Sequence, residues 1–365
     1  MKSNYNLMFL LGIAMLSAGS LSFGQVSEST SDSCSQESPE TEKINVDGID
    51  FFASDELLQV TLCFDIKEFL RTKHKPEYFD AVLTVKMDED DSVSQNIKVK
   101  ARGEMRRAYC NFPPIMLKFC DRDNETEKIQ GKGTLKLVTH CMPSKLYQSY
   151  VLKEYLTYRL FNQVTPYSLK TRLVKIRYVD INKPEKAFLA FGFLIENEDK
   201  MAARNQAIMI NSDKLTQKNM VPDDMARIAV FNFLIGNTDW SVPLQHNIKI
   251  MRSLEVFSDK AIPVVYDFDY AGLVNTIYAI PFIELPIKEV TERYYMGLCY
   301  KDEELKPVVE EFQGLQEKLL GTINDFEYLS KADKKSVTYY IDSFYQTYKN
   351  PDYLLHDLKC SCKQF

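Results

Sequence analysis

The chain has 365 residues, with 45 Lys or Arg against 51 Asp or Glu, for a formal charge of −6. A hydrophobic share of 45% beside 26% charged residues can bury a full core, in one large domain or two ordinary ones, and excludes a disordered polymer. The acidic balance argues against nucleic acid as a partner, and the absence of a fixed-period repeat argues against a solenoid or propeller.

Residues 1–24 read as a signal peptide. Lys2 opens a weakly basic stretch, 7–16 is an apolar run too short to cross a bilayer, and small residues lead to an expected cleavage near Gly24/Gln25. The protein is therefore expected to be exported, to the periplasm or beyond, with no membrane span after cleavage. Residues 25–42, rich in Ser, Glu and Thr, form an expected disordered leader.

Residues 43–200 are expected to form a β-rich N-terminal lobe. Short alternating or β-branched runs predict strands at 57–64, 81–87, 97–101, 115–119 and 135–140, in an antiparallel sheet. A helix over 147–161 follows, with Val151, Tyr155 and Tyr158 at helical spacing, then strands at 173–179 and 188–195. Residues 201–365 are expected to form a mostly helical C-terminal lobe. Asp223 or Asp224 is the expected N-cap of a buried helix that stops at Gly236-Asn237. A loop over 238–245, a strand at 247–251 and a strand-turn over 262–269 come next. One helix is marked by Val308, Phe312, Leu315 and Leu319, and another by Ser330 with Asp333 three residues on, a capping pattern. The fold class is α+β.

The chain has 8 cysteines, an even number that suits disulfides in an oxidising compartment. One bridge is expected among Cys110, Cys120 and Cys141. Zinc held by Cys110, Cys120, His140 and Cys141 would lack the paired short spacings of a structural site. Cys360 and Cys362 are either bridged elsewhere or left as thiols.

The chemistry concentrates in FNFLIGNTDWSVPLQHN (231–247) and YDFDYAG (266–272). Asp239 lies on a loop past a buried helix, Asn247 eight residues on at the start of a strand, and Asp267 and Asp269 at the end of an apolar strand. Hard cations such as Mg²⁺ take a few oxygen ligands and leave room for phosphates and water. Phosphoryl transfer needs the same set, because its catalysis is positioning and charge neutralisation. The basic counterpart is the turn Arg102-Gly103-Glu104-Met105-Arg106-Arg107, whose guanidiniums suit phosphate or carboxylate. Lys118 and Lys136, on the next two strands, are alternatives for a phosphate-binding lysine oriented by Glu154 on the helix. His246 could be a ligand, a base or a turn residue, and Trp240 could stack on a ligand or pack beneath its loop. No Gly-x-Ser-x-Gly elbow or Walker-type phosphate loop is present.

These segments resemble the CotH-type family, secreted or spore-coat proteins with an atypical protein-kinase-like fold. The resemblance runs from Ile97 to Leu273 and rests on motif order: Arg102-Gly103, 112–118 with Lys118, 152–160, Asp239 to Asn247, and Asp267-Phe268-Asp269. The chain also resembles a group of uncharacterised exported bacterial proteins with GNTDWS and YDFDYAG segments. The resemblance implies ATP, Mg²⁺ or Mn²⁺, and phosphate transfer to a protein substrate. By that resemblance Asp239 would be the catalytic base or substrate-orienting carboxylate, and Asn247 and Asp267 the metal ligands; the acidic pair adds Asp269 to the metal set, and the basic turn, strands and helix offer Arg102, Arg106, Lys118, Lys136 and Glu154 as the cofactor-binding set. Glu104 and Met105 depart from the family's Arg-Gly-Arg-Gly-Asn turn, and the Asp239-to-Asn247 step is longer than in ordinary kinase catalytic loops. The alternatives are a catalytically silent binding protein of the same fold and a metal-dependent hydrolase.

Overall fold

A computed structural model describes residues 50–87, 91–119, 133–212, 214–255 and 259–362. The expected signal peptide and leader, Cys34 and Cys120 lie outside the described residues.

Seven strands build the first half: β1 (Leu58–Phe64), β2 (Phe79–Lys86), β3 (Ser92–Ala101), β4 (Ile115–Phe119), β5 (Thr134–Val138), β6 (Thr171–Asp180) and β7 (Lys183–Ile195). They close into a barrel in the order β1-β2-β3-β4-β5-β7-β6. All pairings are antiparallel, as expected, except β1 with β6, which is parallel and joins the two ends. Side chains alternate across each strand, so Leu62, Leu83, Ile97, Leu117, Leu137 and Ile176 fill the interior as one apolar core. Their outward neighbours include Lys98, Lys118 and Lys136.

Three helices punctuate the barrel. α1 (Ile66–Arg71) is capped by Asp65, whose carboxylate accepts from the Glu68 N–H at 2.8 Å. α2 (Met105–Tyr109) begins within the Arg102–Arg107 segment read as a plain turn and runs two residues past it. α3 (Lys145–Val164) is longer than expected at both ends and is capped by Ser144.

Beyond the barrel come α4 (Glu198–Arg204), β8 (Ala207–Ile210), α5 (Pro222–Ile235), β9 (Ile248–Ser253) and β10 (Ile262–Val265); the strands form a second sheet ordered β10-β9-β8. α6 (Asp302–Gly314), α7 (Gln316–Asp325), α8 (Lys331–Thr347) and α9 (Pro351–Ser361) complete the chain. A larger core unites α3, α5, β9, β10 and these last helices. The architecture is α+β, with a β-rich half followed by a mostly helical one.

Three expectations are corrected. The N-cap of α5 is Val221 with Pro222 as its first residue; Asp223 and Asp224 fall in the first turn, where carboxylates complement the helix dipole. The helix expected across Val308 to Leu319 breaks at Leu315 into α6 and α7. And α1, α2, α4, β8 and α9 are elements too short or too polar for periodicity to mark. Ser330 does cap α8, accepting from the Asp333 N–H at 3.1 Å.

Disulfides join Cys110 to Cys141 and Cys299 to Cys362, leaving Cys63 and Cys360 as the thiols among the described residues. Bridging Cys110 with Cys141 removes two of the thiols a zinc site would need. His140 packs among Phe112, Tyr178 and Phe188, and burial pushes its pKa down to about 4. Two disulfides suit an oxidising compartment. Among the described residues no helix is long and apolar enough to cross a membrane.

Candidate active site

The site is assembled from both halves by four devices. The first is a tight loop. Ser241 and His246 exchange backbone hydrogen bonds (2.9 and 3.0 Å), turning the chain so that His246 and Asn247 return to Asp239. This small bridge absorbs the extra residues of the Asp239-to-Asn247 step. Asp239 is 9% exposed; its Oδ1 meets His246 Nε2 at 2.8 Å, and Asn247 Nδ2 donates to its Oδ2 at 2.9 Å. Burial raises the Asp239 pKa, against the lowering pull of His246.

The second device is the pairing of β9 with β10, which sets Ile248 opposite Val265. Asn247 at the start of one strand and Tyr266-Asp267 past the end of the other are thus neighbours, and the Tyr266 N–H donates to the Asn247 carbonyl at 3.0 Å. Asn247 (φ 50°) and Asp267 (φ 63°) both hold left-handed backbone, a sparsely populated conformation for non-glycine residues that surrounding contacts must impose.

The third device is the contact of the two acidic loops. The Gly272 N–H donates to the Gly236 carbonyl at 3.0 Å, and the Leu273 N–H to the Ile235 carbonyl at 3.0 Å. Gly236 is left-handed (φ 65°) and ends α5 as expected. A Cβ on Gly272 would lie 2.4 Å from the Val290 carbonyl oxygen and 2.6 Å from the Tyr340 hydroxyl, so only glycine allows this approach.

The fourth device is α3, which presents Tyr150, Glu154 and Tyr158 at four-residue spacing along one face. The Tyr150 hydroxyl accepts from the Ile277 N–H (3.2 Å), and the Tyr158 hydroxyl from the Asp267 N–H (2.8 Å). Between them Glu154 accepts from Arg106 Nη2 at 2.7 Å. Arg106 also donates through Nε to Asp269 Oδ2 at 2.8 Å and lies 3.6 Å from Asp267 Oδ1. Tyr278 donates to the same Asp269 oxygen at 3.0 Å. The Cys110–Cys141 bridge closes the gap between the end of α2, which carries Arg106, and the start of α3, which carries Glu154. In the chain-entropy picture a loop of this length stabilises by about 3–4 kcal/mol.

The electrostatics are crowded. Glu154 and Asp269 are 2% and 5% exposed. Burial, with their mutual repulsion, raises Glu154 to about 8 and Asp269 to about 6, although Arg106 pulls both back. Arg106 goes the other way: burial would lower its pKa, but Asp269 and Glu154 hold it well above its ordinary value.

The sequence-derived candidates therefore separate. Asp239, Asn247, Asp267, Asp269, Arg106 and Glu154 converge. Lys136 does not meet Glu154. Its ammonium pairs with Glu198 on α4 at 2.9 Å, because it faces outward from β5, while the longer Arg106 arm reaches Glu154 from α2. Lys118 stands opposite Lys98 in the barrel ladder, with its ammonium 5.5 Å from the Tyr78 ring centre. Arg102 is close enough for its charge to bear on Lys136 and Tyr266. Trp240 packs beneath its loop, 2% exposed. Glu104 is exposed at the start of α2. Sequence reading missed Glu198, Lys249, Tyr158 and Tyr278; of these, only Tyr158 left a signal, a polar-tipped ring one turn beyond Glu154 on a buried face.

The metal expectation is also modified. Among the described residues no group of three or more His, Cys, Asp or Glu side chains is arranged to hold an ion. Arg106 already supplies positive charge to Asp269. The Asp267 side chain, 42% exposed, and Asn247 remain as adjacent oxygen donors. One or two such donors suit Mg²⁺, which keeps several waters and completes its shell with substrate phosphates.

No family model and no curated protein matches this chain. Among solved structures, the proinflammatory kinase CtkA of Helicobacter pylori aligns with a TM-score of 0.39 at 11% identity, over 67% of this chain and 94% of that one. A likeness at that level transfers neither fold family nor activity.

Proposed function

We propose that this is an exported phosphotransferase on a kinase-like, CotH-type scaffold, moving a phosphoryl group from ATP to a protein. The observation that carries the reading is the convergence of the Asp239–His246–Asn247 triplet with Asp267 and Asp269, through β9–β10 pairing and the Gly236–Gly272 contact. Residues on two separate loops arrive at one place by these two contacts, and α3 braces the second loop through Tyr158 and, by way of Arg106, Glu154.

Asp239 is the acceptor-side carboxylate. Its burial raises its basicity toward the range where a general base works, and His246, half exposed, offers a route for the proton to water. Asn247 fixes the carboxylate's orientation. Asp267 and Asn247 would hold Mg²⁺ or Mn²⁺, which supplies charge neutralisation to the phosphates when bound. Arg106, Glu154 and Asp269 form a rigid base beneath them: a guanidinium between two carboxylates fixes the loop that carries Asp267.

A catalytically silent binding protein is the second reading, favoured by one observation. Asp269 is engaged by both Arg106 and Tyr278, which withdraws it from the expected metal set. Two measurements separate the readings: thermal shift with Mg²⁺ or Mn²⁺ nucleotides, and phosphate transfer from labelled ATP. The phosphotransferase reading expects a rise in melting temperature that Asp267→Ala removes. It also expects transfer that Asp239→Asn lowers by about 10²–10⁴-fold with nucleotide affinity kept. No shift with any nucleotide, or transfer unchanged in Asp239→Asn, overturns it.

A further inference from the structure

The C-terminal helix α9 turns a pair of metal-ligating side chains outward. Leu354, Leu355 and Leu358 bury its inner face, while His356 and Cys360 are exposed. The two are four residues apart, neighbours on one helical face, and His356 Nε2 lies 3.5 Å from Cys360 Sγ. Cys360 is one of two thiols among the described residues. Cys362 cannot serve as a further ligand, because it is bridged to Cys299. That bridge pins the end of α9 just beyond the pair, so both donors stand on a fixed backbone.

The separation is that of two ligands on one tetrahedral ion. Zn²⁺ bonded at about 2.3 Å to sulfur and about 2.0 Å to nitrogen, with a tetrahedral angle between them, sets those atoms about 3.5 Å apart. Thiolate with imidazole selects Zn²⁺ over Mg²⁺ or Ca²⁺, which take oxygen. The surroundings do not oppose a cation. The Lys359 ammonium, next to Cys360 in sequence, is paired with Asp302 on α6, and Asp352 adds a carboxylate one turn before His356. One chain supplies only a pair, since among the described residues no three His, Cys, Asp or Glu side chains are arranged to hold an ion. A structural zinc site takes four ligands. Tyr353, 51% exposed and three residues before His356, offers apolar surface on the same side of the helix, beside the open positions.

We propose that His356 and Cys360 are half of a Zn²⁺ site that a second copy of this chain completes, with a two-fold axis through the metal. Each copy gives the same pair, so the ion ends with two sulfurs and two nitrogens, a closed tetrahedral set. On binding, each thiol loses its proton to solvent and each sulfur bonds the metal, while His356 binds through Nε2 as the neutral ring. A metal-bound thiolate is also withdrawn from the disulfide chemistry open to an exposed thiol in an oxidising compartment. The inference is independent of the phosphotransfer reading. It concerns how two copies are held, on a helix that carries none of the acidic residues of the candidate site.

The probe is Co²⁺, which takes the same tetrahedral ligands as Zn²⁺ and absorbs strongly when bound to thiolate. It is titrated into the full chain under argon, so that Cys360 stays a thiol, while the molar mass is followed by light scattering. The expected result is a thiolate-to-cobalt absorption band that saturates at one ion per two chains, a doubling of mass, and reversal of both by EDTA. Cys360→Ser should lose the band and the dimer, and His356→Ala should lose the dimer. Both side chains are exposed, so both variants should keep the wild-type melting temperature, which is checked in parallel. No band in the wild type, a band that survives Cys360→Ser, or saturation at one ion per chain with the mass unchanged overturns the shared site. A dimer that persists in EDTA and separates only in reductant is a disulfide between two copies, and overturns it equally.

Discussion

Arg106→Met tests the physical centre of the site. The guanidinium touches Glu154 at 2.7 Å and Asp269 at 2.8 Å, with those carboxylate side chains 3% and 7% exposed. Removing one partner of a buried pair leaves an uncompensated charge and costs about 3–5 kcal/mol. The pH dependence is more diagnostic than the size. Glu154 is raised to about 8 and Asp269 to about 6, so folding favours their protonated forms. The stability they contribute is complete below the ordinary carboxyl range and is lost as pH rises through about 6 and then about 8. Arg106 opposes both shifts. Without it the carboxyls rise further, and the variant's deficit widens with pH. Urea unfolding of both proteins at about pH 5 and about pH 8.5 should show the deficit small in acid and larger by about 2 kcal/mol or more in base. A deficit that is flat with pH, or below about 0.5 kcal/mol throughout, would refute the idea that Arg106 neutralises buried carboxylates.

Two further outcomes follow from the same geometry. Gly272→Ala forces a Cβ to 2.4 Å from the Val290 carbonyl oxygen and should lower stability by about 1–3 kcal/mol, read as a drop in melting temperature; an unchanged melt would mean that the two acidic loops are not locked there. His140 is held neutral by burial, with its pKa lowered to about 4, so its contribution is complete above about 6.5 and is lost as pH falls toward 4. His140→Phe should therefore lose less stability than wild type between about pH 6.5 and 4, and parallel acid-unfolding curves would contradict the assignment.

Much of the layout was legible in the amino-acid order. The β4 strand appears at the residues predicted, 115–119, because Ile115, Leu117 and Phe119 alternate with outward Met116 and Lys118 and Pro113-Pro114 fixes the start. Gly236 stops α5 because a left-handed residue was required there, and Ser330 caps α8 because its hydroxyl meets an otherwise unpaired N–H. The bridge among Cys110, Cys120 and Cys141 was anticipated from neighbouring strands. The short helices were not legible: α2 has five residues and buries none of them, so no apolar period marks it.

What local order determined, then, is the alternation of strands, the caps and stops, and the presence of acidic motifs beside apolar elements. Periodicity and turn chemistry act over a few residues, so those features are written locally. Partner choice among charged side chains is decided only by the folded chain. Arg106 lies 48 positions from Glu154 and 163 from Asp269, and whether it or Lys136 reaches Glu154 depends on where α2 and β5 end up around α3. An ion pair forms where burial and approach permit, and no pattern along the chain encodes either.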